Sequence, residues 1–322
     1  MKTGKGQKTR NAILLAIAAF IWGSTFVAQD VGMDYIGPFT FLATRSVLGC
    51  VALVPLILIR KITGKNDRKR EKADSQAENG TTEQAGNVSS QFMTTLAGGI
   101  CAGVALFCGS IFQQIGIMHT TVGKAGFITT LYILGVPLLG VFLKRKIGIK
   151  IWCCAALATV GMYFICMQEN LTIGKGDTLV LLCAVSFSIH ILVIDYFSVK
   201  VDSILLSCLQ FAVCALIAGA GMLLFEHPHI TDLLQAWLPL FYAGVLSSGV
   251  AFTLQIVAQK DMNPAVATLL MSLESVFATI SGWVVLGQRM SARESAGCVL
   301  VLAAVLIAQI RLKDLRKSVI RN

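Results

Sequence analysis

Charge is scarce in this sequence: only 14% of its 322 residues are Asp, Glu, Lys or Arg. Soluble domains carry about 25% charged residues, so a water-exposed globule is excluded. Acids are the scarcer sign, 17 against 27 bases, which leaves a net charge of +10. Histidine occurs four times, and none of the ten cysteines stands at metal-ligand spacing with one. Cys50, Cys101, Cys108, Cys153, Cys154, Cys166, Cys183, Cys208, Cys214 and Cys298 all fall in or beside apolar runs, where a thiol acts as a small hydrophobe. Neither a disulfide framework nor a metal site is expected. There is no Gly-rich phosphate loop ending in Lys-Ser/Thr and no Gly-x-Ser-x-Gly elbow. A nucleotide-driven pump, a bound cofactor and soluble hydrolytic chemistry are therefore not expected.

Apolar sequence fills the space: 55% of residues are hydrophobic and the mean hydropathy is +0.74. The runs are continuous rather than alternating. That predicts membrane α-helices, whose backbone groups are satisfied within each segment, and not a β-barrel. Ten segments are predicted, at 11–29, 39–59, 93–115, 122–143, 149–167, 177–197, 204–224, 237–257, 264–286 and 294–310. The first has helix length and no small-residue cleavage site, so no cleaved signal is expected. The bases lie in short loops and tails. With both termini cytoplasmic, twenty-two of the 27 Lys and Arg fall inside and three (Lys175, Arg289, Arg293) outside, the bias expected of a multi-pass protein of the cell membrane. The basic charge is thus explained by topology, with the bilayer as partner and no nucleic acid. The polar stretch 60–91 reads as a flexible cytoplasmic loop. Its Arg68-Lys69-Arg70 could also meet lipid headgroups.

The chain repeats itself weakly. At an offset of 165, Trp22 meets Phe187, Thr25 meets His190, Pro38 meets Ser203 and Arg45 meets Gln210. At an offset of 142, Gln113 meets Gln255 and Tyr132 meets Glu274. The predicted organisation is a tail (1–10), a first five-helix repeat (11–170), a second (177–310) and a tail (311–322). Five is odd, so the second repeat enters the membrane from the opposite side. Inverted repeats of this kind suit alternating access, because the halves can exchange inequivalent conformations. Ten helices can enclose a site, so a monomer is sufficient for function, and an oligomer is open.

AIAAFIWGSTFVAQ at the first segment resembles the opening of EamA-like transporters of the drug/metabolite transporter superfamily. So do AGFITTLYILGVPLLGVFLKRKIGIKIWCCAALATVGMYFI and NPAVATLLMSLESVFATISGWVVLGQRMSARESAGCVLVLAAVLI. The resemblance implies ten helices, cytoplasmic termini and movement of small metabolites, amino acids or drugs, often outward. Members commonly carry Gly-Glu after the fourth and ninth helices. Here those positions read Lys144-Arg145 and Gly287-Gln288.

Polar residues inside the predicted spans are the candidates for function, since such residues are costly in a bilayer. Glu274 lies ten residues beyond Pro264, about 15 Å deep at 1.5 Å per residue. It is a candidate proton site or cation partner, or else a carboxyl hydrogen-bonded for packing. Tyr132 matches its depth. Helical spacing groups Lys124, Ile128, Tyr132 and Gly135 on one face, and Leu270, Met271, Glu274, Ala278 and Ser281 on the other. These two faces are predicted to line a central cavity with Trp22, Thr25 and His190, with Lys124 a candidate for a substrate carboxylate. His190 is either a relay or a packing residue. Arg45 could snorkel, pair with a carboxylate or bind an anion. Gln113 and Gln255 are candidate gate residues, and Pro137 a candidate hinge. The expectation is a secondary transporter exporting a small organic solute, with the proton a candidate coupling ion. A passive facilitator on the same scaffold is the alternative, and a membrane-embedded enzyme the next.

Overall fold

The computed structural model describes residues 5–74, 81–120, 122–166, 174–286 and 291–309. The side chains of 60–74, 81–90, 122–124, 166, 282 and 285–286, and of residue 5, lie outside that description, as does Lys124 with them. Among the described residues every regular element is helical. The first repeat comprises α1 (Lys5–Met33), α2 (Pro38–Asp74), α3 (Thr81–Ile117), α4 (Val122–Thr130), α5 (Tyr132–Phe142) and α6 (Ile149–Cys166). The second comprises α7 (Lys175–Ser198), α8 (Ser203–Phe225), α9 (Ile230–Gln235), α10 (Trp237–Phe241), a π-helical segment (Tyr242–Ala251), α11 (Phe252–Gln259), α12 (Pro264–Met271), α13 (Leu273–Leu286) and α14 (Ala292–Gln309). Nine described helical runs are long and apolar enough to cross a bilayer, and Ile149–Ile165 is a shorter tenth. Large apolar side chains such as Leu216 (74% exposed) and Leu224 (73%) face outward, where lipid rather than water is the matching solvent.

Two lengths differ from the sequence reading. α2 stays helical to Asp74 and α3 begins at Thr81, so helical backbone enters the polar stretch from both ends. Lys, Arg, Glu and Ala in the last turns of α2 are strong helix formers; TTEQAGNVSS at the start of α3 has few of these. The fourth span is two helices meeting at Leu131, and the ninth is two meeting at Ser272.

The halves interleave. α1 packs on α12 and α13 and on the π segment and α11 of the other half. Its repeat mate α7 packs on α4, α5 and α3. α2 packs along α8, and α6 along α14. Each contact has a mate under exchange of the halves, as a two-fold relation between repeats requires. α2 and α8 also bring the thiols of Cys50 and Cys208 to 3.2 Å. A buried cluster including Leu15, Tyr132, Ile133, Met162, Leu269 and Val301 joins the spans at the centre.

The fourth span ends where the family resemblance fails. Lys144 has φ 57°, the left-handed conformation that glycine adopts without strain at helix C-termini. Arg145, in the position of the usual acid, forms an ion pair with Asp195 on α7 at 2.6 Å.

Candidate functional site

The centre of the site is the pair of interrupted spans. At Leu131 and at Ser272 the hydrogen bonds shorten to three residues, Leu131 N to Ile128 O at 3.1 Å and Ser275 N to Ser272 O at 3.2 Å. The tighter turn re-aims the residues that follow. Tyr132 Oη donates to Glu274 Oε1 at 2.9 Å, and the hydroxyls of Thr130 and Ser275 meet at 3.1 Å. Tyr132 and Glu274 are 5% and 7% exposed, so the carboxyl is largely buried, with the Tyr132 phenol as its hydrogen-bond partner among the described residues.

Around this pair lies a cavity of about 590 Å³, its openings included. Its lining follows the repeat. Trp22 and Phe187, Thr25 and His190, Phe26 and Ile191, Ser110 and Phe252, Gln113 and Gln255, Thr129 and Met271, and Tyr132 and Glu274 all line it, and each pair is related by one of the two offsets. Gln29, Arg45 and Ser247 line it without a mate. His190 Nε2 and Gln210 Oε1 are 2.9 Å apart. Gln113 Nε2 donates to Thr129 Oγ1 at 3.1 Å, and Thr25 Oγ1 donates to Ile21 O at 2.6 Å. The Trp22 and Phe252 rings meet edge-on with centroids 4.9 Å apart. Arg45 Nε donates to Ser248 Oγ at 3.3 Å and Nη2 to Ser247 Oγ at 3.2 Å.

The structure thus brings Trp22, Thr25, Arg45, Gln113, Tyr132, His190, Gln255 and Glu274 to one cavity. Pro137 is buried within α5 and does not line it. The interruption lies at Leu131, six residues earlier, so proline is not its cause. The predicted faces are partly replaced. Thr129, not Ile128 or Gly135, lines the cavity beside Tyr132, because the break at Leu131 rotates the face. Phe26, Gln29, Phe187 and Ile191 were within reach of the repeat: each follows from a predicted residue by one turn, one step or one offset. Ser247 had no such signal, because it depends on the π segment.

Sequence comparison gives this geometry a family. The profile of the EamA-like transporter family matches residues 9–167 and again 174–309. The chain belongs to the EamA-like transporter family. As an EamA-like transporter it is a multi-pass protein of the cell membrane, and its family indicates transport rather than catalysis. It is 28% identical over 304 residues to an uncharacterized transporter of Archaeoglobus fulgidus, covering 92% of this chain and 85% of that protein. It is 24% identical over 297 residues to the uncharacterized transporter YoaV of Bacillus subtilis, covering 88% and 91%. A solved crystal structure at 18% identity superposes with a TM-score of 0.71, covering 94% of this EamA-like chain and 98% of the other, and it speaks to the fold alone.

Proposed function

We propose that this transporter is a secondary carrier that moves a small organic solute by alternating access, in the outward direction that the family resemblance favours. The observation that carries the reading is the composition of the cavity: seven repeat-related pairs from both halves converge on one space. If the halves exchange conformations, the same residues face the other side of the membrane. Trp22, Thr25, Tyr132, His190 and Glu274, with Lys124, hold the solute in this proposal. Glu274 exchanges the coupling proton, with His190 and Arg45 as its companion ionisable groups in the cavity. Gln113 and Gln255 act as gate hydrogen bonds, and Pro137 as a flexure in α5.

The test is solute flux into proteoliposomes. A carrier gives saturable uptake, counterflow and turnover well below channel rates. Flux that rises linearly with concentration and shows no counterflow means a passive facilitator instead. Glu274→Gln is expected to lower proton-driven flux by roughly tenfold or more, the rate equivalent of losing a hydrogen bond to a charged group. The remaining flux should no longer be driven by a proton gradient. Unchanged flux with unchanged pH response removes Glu274 from the coupling.

A further inference from the structure

Arg45 is the feature that this cavity does not use up. It lies seven residues beyond Pro38 at the start of α2, about 10 Å along the helix. It is 7% exposed and lines the cavity, so its stem does not snorkel to an interface. Guanidinium keeps its proton in proteins, and a buried cation is costly unless paired. Among the described residues no carboxylate forms an ion pair with it; its partners are the two serine hydroxyls.

The geometry of those two bonds matters. The serines are adjacent in sequence yet both reach Arg45, because the π segment narrows the angle between successive side chains. Ser248 Oγ in turn donates to Ala243 O at 2.9 Å, five residues back. Together the serines hold the Nε and Nη2 edge of the fork. Both hydrogens of Nη1 and the second of Nη2 have no partner among the described residues. That free end presents two parallel donors, which match the two oxygens of a carboxylate. The repeat mate of Arg45, Gln210, is instead spent on His190. The cation therefore has no charged counterpart at the matching position of the other half.

We propose that Arg45, clamped by Ser247 and Ser248, anchors a carboxylate on the transported solute. The inference rests on the carrier reading for the word transported, and on the cavity alone for binding. Trp22, Phe187 and Phe252 line the same cavity, so an aromatic or other apolar body on the solute has matching side chains there. Glu274 lines the same space and is the group that an ammonium on the same solute would meet.

The experiment compares matched pairs of probes on the purified full-length protein in detergent, read by thermal unfolding. Phenylacetate is set against phenylacetamide, and L-phenylalanine against L-phenylalaninamide. The expected result is a concentration-dependent rise in Tm with an acid and none with its amide. Stabilisation by L-phenylalanine alone assigns an ammonium-bearing carboxylate, and stabilisation by phenylacetate as well assigns a simple one. Arg45→Gln should weaken acid binding by roughly tenfold or more, the scale of a charge-assisted hydrogen bond, while Arg45→Lys keeps part of it. Equal shifts with acid and amide, no shift with either acid, or full acid affinity in Arg45→Gln overturns the anchor. If Arg45→Gln does not fold, the acid and amide pairs on the parent protein and Arg45→Lys decide the matter. Counterflow separates the two readings. An acid that binds without counterflow keeps the anchor and removes the carrier. Saturable counterflow of a neutral or cationic solute, untouched in Arg45→Lys, keeps the carrier and removes the anchor.

Discussion

Where α1 crosses the ninth span, the small residue is Gly23 on α1. A Cβ there would lie 2.6 Å from Glu274 O, 2.7 Å from Ala278 N and 2.8 Å from Phe277 Cβ. At the matching crossing, of α7 over the fourth span, Ser188 stands in the position of Gly23. The glycine has moved to the opposite helix: Gly135, the mate of Phe277, faces the Ser188 hydroxyl. Each crossing therefore has one glycine, but on different partners. Close helix approach in a membrane needs a small residue at the contact, and it does not matter which helix supplies it.

The second helix of each half shows the same exchange. Asp202 caps α8 from the position just before it, accepting from Ile204 N at 2.9 Å and Leu205 N at 3.0 Å. The equivalent donors of α2, Phe39 N and Thr40 N, bond to Glu226 at 2.9 and 2.7 Å. Glu226 lies 186 residues from Thr40 and also accepts from the Thr40 hydroxyl at 2.6 Å. The mate of Asp202 is Gly37, and a Cβ there would collide with the Glu226 carboxylate. A carboxylate at a helix N-terminus is favourable from either source. The distant source also ties α2 to the end of α8, which the local cap cannot do.

Substitutions at the crossings and caps test how far the two halves are interchangeable. The largest effect is expected from Gly23→Ala, because the obstacle is backbone on both sides of the Glu274 turn. We expect a loss of about 3 kcal/mol, at the upper end for overpacking, with flux reduced alongside, measured by thermal unfolding and proteoliposome assay. Glu226→Ala follows, at about 2 kcal/mol for a cap serving two amides, and cysteine cross-linking between α2 and α8 should become less selective. Gly135→Ala is expected to cost about 1 kcal/mol, since a side chain can yield. Adding Ser188→Ala should recover part of this, because it removes the colliding hydroxyl and leaves Ser188 Cβ at 3.1 Å. No equivalent partner change should rescue Gly23→Ala. The smallest effect is Lys144→Gly, which relieves a left-handed lysine and should raise stability by a few tenths of a kcal/mol, the unfolded chain regaining the rest. A loss of stability there would mean that the Lys144 side chain is itself holding the fourth span.

Much of this was legible in the sequence. Apolar runs are a direct record of the solvent a helix faces, so the helical membrane class could be read from composition and run length. The match of Tyr132 with Glu274 survived because polar residues stand out in apolar sequence, and the structure places them in hydrogen-bond contact. The interruptions at Leu131 and Ser272 are not marked in the sequence by a glycine or proline. The π segment was equally silent, and with it the role of Ser247 and Ser248. The alternation of glycine between crossings hid from a residue-by-residue alignment because it conserves a contact and not a position.

Interleaving has a consequence for synthesis. α1 leaves the ribosome before the spans it packs on: the surface that receives Gly23 belongs to residues some 250 positions later. Contacts of such long sequence separation form late. A chain stopped after α6 would own a complete repeat and still lack the spans against which α1 is built to pack. Two fragments divided between α6 and α7 should therefore accumulate only when produced together, each serving as the other's missing half.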